Sequence, residues 1–183
     1  MSIAAGMIAV ASHIVWAFLF YELFKPVNRG ISLLAMVVAV VGIAVQAFSV
    51  VLQFAPLLIL DNSERFGAFT LEQLQVLSLM FLRFRAQAFN VYIAFFGLWC
   101  VVTGYLVFNS NFMPRIIGVL EVVSGLCWLT FFWPPLADAL FRTITGPLSA
   151  PGELSLQLWL IVFGINVQRW REQARFAGAS APA

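Results

Sequence analysis

Long apolar runs constrain this chain more than any other feature of its sequence. Five stretches are nearly free of charged residues and long enough for helical spans: residues 3 to 24, 31 to 60, 86 to 108, 115 to 137 and 154 to 168. About 20 apolar residues cross a bilayer as a helix, and none of the stretches shows the strict alternation of a membrane β-strand. The sequence therefore predicts an all-α, polytopic transmembrane bundle of about five spans.

The composition agrees with this prediction. Hydrophobic residues make up 62% of the chain and charged residues 10%, whereas a soluble domain has about half and about a quarter. The net charge is only +2, and the basic residues are scattered, which argues against a nucleic-acid-binding protein. Cys100 and Cys127 both lie in apolar runs, which is typical of buried thiols. We expect the lipid bilayer, and no nucleic acid, as a partner.

Charged residues divide between the two sides of the predicted membrane domain. One side contains Lys25, Arg29, Arg115, Arg169, Arg171 and Arg175. The other side contains Arg65, Arg83, Arg85 and Arg142 together with Asp61, Glu64, Glu72, Asp138 and Glu153. By the positive-inside rule the first side is cytoplasmic, so five spans place the N-terminus outside and the C-terminus inside. We expect one membrane domain over residues 1 to 172 and a short disordered cytoplasmic tail over 173 to 183.

Two helices are longer than a bilayer requires. Continuous helices over residues 31 to 60 and 71 to 108 would be about 45 and 57 Å long, but the hydrocarbon layer is only about 30 Å thick. We expect them to form a hairpin that projects from the outer face and turns between Asp61 and Phe69. Thr70 and Gln73 have capping-box spacing for the second of these helices. In the alternative interpretation, residues 70 to 82 form a separate interfacial helix.

Small and polar residues recur along one face of each span, as is typical of helix contacts in membranes. In the second span these residues are Ala35, Ala39, Gly42, Gln46, Ser49, Gln53 and Pro56. In the third span they recur every seven residues, at Arg83, Asn90, Gly97 and Gly104. The first, fourth and fifth spans offer Gly6, Ala9, His13 and Ala17; Gly118, Glu121, Gly125 and Trp128; and Gln157, Ile161, Gly164 and Gln168. We expect these faces to form the interior.

His13 and Glu121 are ionisable residues at membrane depth, where a charge costs about 2.5 to 3.5 kcal/mol on insertion scales. At 1.5 Å per residue, Glu121 lies about 9 Å and His13 about 18 Å from the basic side. These heights differ too much for a catalytic His–Glu dyad. His13 is instead expected to bridge to Gln46. Glu121 is expected to be satisfied as a structural group by Asn166, Gln168 or Arg169.

Arg83 and Arg85 lie at the outer end of the third span. Snorkelling to the headgroups accounts for both side chains. Alternatively, Arg83 faces inward and lines the mouth of a cavity that binds an anionic headgroup or a carboxylate. The candidate ligand-binding residues are Arg83, Asn90, Gln46, Gln53 and His13, and the candidate structural polar residues are Glu121, Asn166 and Gln168. The sequence contains no recognised catalytic or metal-binding motif, and it identifies no cofactor.

Three stretches carry a resemblance to a known family: FKPVNRG at 24 to 30, the run from residue 81 to 120, and GELSLQLWLIVFGINVQRW at 152 to 170. Together with the Pro114-Arg115-x-x-Gly118 turn, they resemble the bacterial membrane family of domain-of-unknown-function 4386. The resemblance implies a bacterial cytoplasmic membrane and six spans, of which this chain would lack the first. The family tends to have His in place of Arg85. The resemblance implies no activity.

Two functions remain open at this point. The first is a non-catalytic binding or accessory protein, whose outer cavity near Arg83, Asn90, Gln53 and Gln46 holds a lipid or another apolar molecule. In a variant of this function, the protein docks onto other membrane subunits or onto a second copy of itself. The second function is an intramembrane enzyme or a proton-coupled carrier that uses His13 and Glu121.

Overall fold

The protein is built from helices. A computed structural model describes residues 3–61 and 68–179, and no strand occurs in these residues. The helices are α1 (Ile3–Phe24), α2 (Arg29–Leu52), α3 (Ala55–Asp61), α4 (Leu71–Asn109), α5 (Arg115–Trp128), α6 (Pro134–Leu140), α7 (Gly146–Val162) and α8 (Val167–Ala179). A 3-10 turn, Leu129–Phe132, follows α5, and a π-helical turn, Phe141–Thr145, joins α6 to α7. The predicted all-α class is confirmed.

Within residues 3–61 and 68–179, four helical segments are long and apolar enough to cross a membrane: Ile3–Phe24, Arg29–Leu60, Leu71–Asn109 and Arg115–Phe132. A fifth candidate is Pro134–Val162 taken together with Val167–Ala177, two stretches that meet at a bend of 104°. The described part of the chain therefore forms a polytopic membrane bundle with four or five candidate spans. The first predicted span, residues 3 to 24, coincides with α1.

Neighbouring helices pack in sequence, α1 on α2, α2 on α4, α4 on α5, and α5 on α7. The predicted interior face of α2 is confirmed, because Ala35, Ala39, Gly42, Gln46 and Ser49 are all buried. Small residues on this face let α2 approach its neighbours closely, which is how membrane helices gain packing contacts when lipid is as apolar as their side chains.

Paired glycines bring α4 and α5 into backbone contact. A Cβ atom added at Gly104 would lie 2.7 Å from the Gly118 carbonyl oxygen, and one at Gly97 would lie 2.9 Å from that of Gly125. Both pairs are seven residues apart on their helices, so the antiparallel helices meet twice on one face. The predicted interior faces of the third and fourth spans are confirmed at these four glycines.

The second predicted helix is interrupted. We expected a continuous helix over residues 31 to 60, but α2 ends at Leu52 and α3 begins at Ala55. Pro56 explains the break, because proline has no N–H to donate and its ring clashes with the carbonyl four residues earlier. The short helix α3 then packs against α4.

The helix α4 is continuous over 39 residues, from Leu71 to Asn109. The predicted capping box is present: the Gln73 N–H donates to the Thr70 hydroxyl at 3.3 Å, and the Thr70 N–H donates to the Gln73 side-chain oxygen at 2.9 Å. The alternative of a separate interfacial helix over residues 70 to 82 is therefore wrong. Residues 62–67 of the predicted turn lie outside the described residues.

The fifth predicted span was misplaced. We expected a loop over residues 137 to 153 and a span over 154 to 168, but α6, the π-helical turn and α7 make residues 134–162 helical. The chain then bends at Gly164, whose φ of 67° ends α7 because glycine adopts left-handed backbone without a Cβ clash. Residues 173–179 of the predicted tail continue α8.

The helix α8 packs across the end of the bundle that carries the basic residues. The Trp170 indole N–H donates to the Leu23 carbonyl at 2.8 Å, and the Asn111 backbone N–H donates to the Gln173 side-chain oxygen at 3.2 Å. These bonds tie α8 to the end of α1 and to the connection between α4 and α5. The end of the bundle thus gathers Lys25, Arg29, Arg115, Arg169, Arg171 and Arg175.

Candidate functional site

A cavity of about 870 Å³ lies between α1, α2, α4 and α7. Its lining side chains are mostly apolar and aromatic, with a few polar groups. Among the lining residues, Ser12, Phe89, Gln157 and Ile161 are exposed on the bundle surface. Ser12 is on α1, Phe89 on α4, and Gln157 and Ile161 on α7, so the cavity opens on the lateral surface of the bundle, toward the bilayer.

Aromatic rings form the inner wall of the cavity. Trp99 on α4 is 2% exposed and packs against Trp16 of α1, with ring centroids 4.0 Å apart. Phe20 approaches the same indole edge-on at 5.3 Å, and Phe96 stacks on it at 5.9 Å. Such contacts between tilted and stacked rings are favourable beyond the area they bury. The inner wall is thus made of large, mutually packed side chains.

One polar group of the cavity is the pair of His13 and Gln46. Nδ1 of His13 lies 2.9 Å from Oε1 of Gln46 and donates to it. The predicted bridge between the first two spans is therefore present. The imidazole ring also stacks near Tyr92, with ring centroids 6.2 Å apart. With Nδ1 as the donor, a neutral imidazole presents Nε2 as a hydrogen-bond acceptor.

A second polar group lies where α5 and α7 meet. The indole N–H of Trp128 donates to Oε1 of Glu153, and both residues line the cavity. Ser124 lies beside the same carboxyl group. Gly152 makes this approach possible, because a Cβ added there would lie 2.5 Å from the Leu120 carbonyl oxygen of α5.

Glu121 lies behind this group, between α4 and α5. Glu121 is 1% exposed and interacts with the Cys100 thiol. Its carboxyl group is also close enough to that of Glu153 for the two to interact electrostatically. Its Oε2 atom has no hydrogen-bond partner in the described part of the chain. One buried carboxyl oxygen atom therefore lies behind the Glu153 end of the cavity without a donor.

The predicted partners of Glu121 were wrong. The Asn166 side-chain oxygen accepts the Arg169 backbone N–H at 3.1 Å, which caps the start of α8. The Gln168 amide donates to Glu172 within α8, and the Arg169 guanidinium donates to the Asn111 carbonyl. Counting residues gives the height of a side chain but not the direction it faces, and Glu121 faces α4.

The structure does not bring all of the predicted ligand-binding residues to one cavity. His13 and Gln46 line the cavity, but Arg83, Asn90 and Gln53 do not. Arg83 is exposed on α4, while Asn90 and Gln53 are half-buried. Arg83 does not line this cavity, and the two roles predicted for it at the outer end of the third span stay predictions. Arg85 is half-buried, and its Nε atom has no partner among the described residues.

Sequence reasoning missed Glu153 on the α7 side of the cavity, although Gln157 and Ile161 of the predicted interior face line it. The sequence places Glu153 in a loop on the outer side of the membrane. It places Trp128 on the interior face of its span and predicts no partner for it. Glu153 follows Trp128 by 25 residues, and only the helical course of residues 146–162 reveals that the two side chains meet.

No cluster of three or more His, Cys, Asp or Glu side chains in residues 3–61 and 68–179 is arranged to hold a metal ion. Cys100 is buried and Cys127 half-buried, and both are free thiols. The groups that remain for ligand recognition are hydrogen-bonding side chains, one carboxyl group on the cavity wall, and aromatic faces.

Comparison with known proteins identifies a family but no function. The family described as "Domain of unknown function (DUF4386)" matches residues 1–164. No curated protein and no solved structure matches the chain. The family match covers most of the 183 residues and includes every helix that lines the cavity. The chain therefore belongs to the DUF4386 family.

Proposed function

We propose that this protein is a non-catalytic membrane protein that binds a lipid-like or other apolar molecule taken from the bilayer. The cavity of about 870 Å³ carries this proposal. Ligand sites are typically of about 300 to 1,000 Å³, mostly apolar, with a few placed polar groups. The His13–Gln46 pair and the Glu153–Trp128 pair are such groups within an otherwise aromatic wall.

The direction of the opening supports a ligand that is dissolved in the membrane. Exposed lining residues on α1 and α7, such as Ser12 and Ile161, stand within the membrane-spanning part of the bundle. Ile161 is 79% exposed and would face lipid chains. A hydrophobic ligand could therefore enter along the bilayer without first crossing water.

A cavity-filling variant tests this proposal. Ala9 lines the cavity and Ala11 is exposed on the same helix, so Ala9→Trp and Ala11→Trp form a matched pair. We expect native mass spectrometry of wild type, extracted from its own membrane, to show a retained small molecule. Ala9→Trp should lose that molecule and Ala11→Trp should keep it. No retained molecule in wild type, or equal retention in both variants, would contradict the proposal.

The same spectra address an accessory role. A retained partner protein in place of a small molecule would indicate a subunit of a larger membrane complex. An enzyme or proton-coupled carrier built on His13 and Glu121 has less support. His13 is bonded to Gln46, while Glu121 interacts with Cys100, so the two residues have different immediate partners.

We further propose a bacterial cytoplasmic membrane as the location, with the N-terminus outside and the basic end of the bundle inside. The positive charges around α8 support this orientation by the positive-inside rule. In a background with Cys100→Ala and Cys127→Ala, a membrane-impermeant maleimide should label Phe69→Cys in intact cells. It should label Lys25→Cys only after lysis. Labelling of Lys25→Cys in intact cells would reverse the orientation.

A further inference from the structure

We infer that the cavity selects an amphiphile with an amine head group, held at Glu153 and Trp128, where α7 meets α5 on the cavity wall. This inference rests on the proposed function, because it names the chemical class of the ligand for the same cavity. It follows from two properties of the walls, their charge and their aromatic faces, and from an unpartnered carboxyl oxygen atom buried behind them.

The charge of the lining favours a cation. None of the residues that line the cavity, all of which the structure describes, is Lys or Arg, whereas Glu153 contributes a carboxyl group. In residues 3–61 and 68–179 the ion pair present is that of Lys25 with Glu22, far along the chain from this carboxyl group. A carboxylate at membrane depth without a cationic partner is costly. A bound ammonium group would supply that partner.

The polar atoms near Glu153 favour a ligand that donates hydrogen bonds. Glu121 Oε2 is buried behind Glu153 and has no hydrogen-bond partner in the described residues. Buried polar atoms in native proteins are nearly always satisfied by protein, water or ligand. A protonated amine brings three N–H donors and no acceptor. A carboxylate or phosphate head would add only acceptors to a place that already has them in excess.

The aromatic side chains of the cavity also favour a cationic ligand. Trp128 lies next to Glu153, and Trp99, Trp16 and Tyr92 line the same cavity. Cations are attracted to the faces of such rings, most strongly to Trp and in desolvated sites. The alkyl chain of an amphiphile would meanwhile lie along Phe20 and the other apolar side chains. The structure thus favours the opposite ligand charge from the one expected for a site at Arg83.

Three probes that share one chain test this inference: dodecylamine, dodecanol and dodecanoate. Each is titrated at neutral pH into the protein in nanodiscs of zwitterionic lipid, and binding is followed through the tryptophan fluorescence. We expect dodecylamine to bind at least about tenfold more tightly than dodecanol and dodecanoate to bind most weakly. Because Ala9→Trp fills the cavity, the fluorescence change of this variant measures only the partition of each probe into the lipid.

A neutral variant checks the role of the carboxyl group. Glu153→Gln keeps an oxygen that can accept the Trp128 indole N–H, but it removes the charge. It should reduce the preference for dodecylamine over dodecanol to about threefold or less, whereas Glu72→Gln, at an exposed position in the first turn of α4, should leave it unchanged.

The outcomes separate the two proposals. Equal binding of all three probes to wild type would overturn the amine preference and leave the cavity as a general apolar site. Weaker binding of the amine than of the alcohol would overturn the preference as well. Binding of no probe above the Ala9→Trp level would overturn the proposed function itself.

Discussion

At the scale of single residues, the hydrogen bond between His13 and Gln46 joins two helices within the membrane. Such bonds contribute on average about 0.6 kcal/mol, and at most about 1.7 kcal/mol, in membrane proteins. We expect His13→Leu and Gln46→Leu each to lower the free energy of unfolding in detergent. In a double-mutant cycle the two changes should couple by about this amount, while fully additive losses would mean that the bond contributes nothing.

The glycine contacts between α4 and α5 make a second prediction at this scale. In Gly104→Ala the added methyl group would lie 2.7 Å from a backbone oxygen that cannot rotate away. The helices must separate, and overpacking of this kind costs about 1 to 3 kcal/mol. Thermal unfolding in detergent measures the loss. The control is Gly30→Ala, whose Cβ would meet only Asn28 Oδ1, at 3.6 Å. Equal midpoints for the two variants would contradict close α4–α5 contact.

His13 and Glu121 show which side-chain contacts can be predicted from the sequence and which cannot. The pairing of His13 with Gln46 was predicted from the sequence, in which each residue lies on the small-residue face of its span. The partner of Glu121 was not predictable from height. It depends on the rotation of α5 about its axis, which the contact of Gly118 with Gly104 on α4 fixes.

At the scale of elements, the indole hydrogen bond of Trp170 is one of several long-range contacts that attach α8. Trp170→Phe keeps an aromatic ring but loses the N–H that donates to the Leu23 carbonyl, at a cost of about 1 kcal/mol. We expect α8 to open more often, so that limited trypsin cleavage after Arg171 and Arg175 becomes faster. The matched control is Trp133→Phe, because Trp133 is 67% exposed away from α8. Unchanged cleavage would mean that other contacts hold α8.

The bend before α8 provides a separate test. Gly164 has a φ of 67°, and a Cβ added there would meet no atom within 4 Å. Any effect of Gly164→Ala must therefore come from backbone strain, which costs about 1 to 2 kcal/mol for a residue with a side chain. We expect faster amide exchange throughout α8, measured by mass spectrometry, and little change in α1. Unchanged exchange in α8 would show that the bend does not need glycine.

Secondary structure was predictable where the chain is uniformly apolar and not where Pro and Gly interrupt it. The bounds of α1 and the cap of α4 followed directly from the sequence. The segment GPLSAPG, residues 146 to 152, suggested a loop, yet it forms the first half of α7. Pro147 stands in the first turn, where its missing N–H is harmless. Pro151 is tolerated as prolines often are in membrane helices, where neighbouring groups satisfy the freed carbonyl.

At the scale of the whole molecule, ligand binding should change global stability. A ligand that binds only the folded state, present at 100 times its dissociation constant, adds about 2.7 kcal/mol. We expect dodecylamine to raise the unfolding midpoint of protein that has been stripped of bound lipid by extensive detergent exchange. Ala9→Trp should show no such rise because its cavity is filled. An equal rise in both proteins would point to a general effect of the amphiphile on the detergent.

The paired glycines also affect which helices of the bundle can be displaced relative to one another. At the glycines the helices α4 and α5 meet backbone to backbone, and backbone atoms cannot change rotamer to absorb a displacement. Against α4, by contrast, α1 presents the rings of Trp16 and Phe20, which can tilt and slide. We therefore expect the α4–α5 contact to be stiffer than the packing of α1, so that ligands of different width in the proposed cavity would be accommodated by displacement of α1.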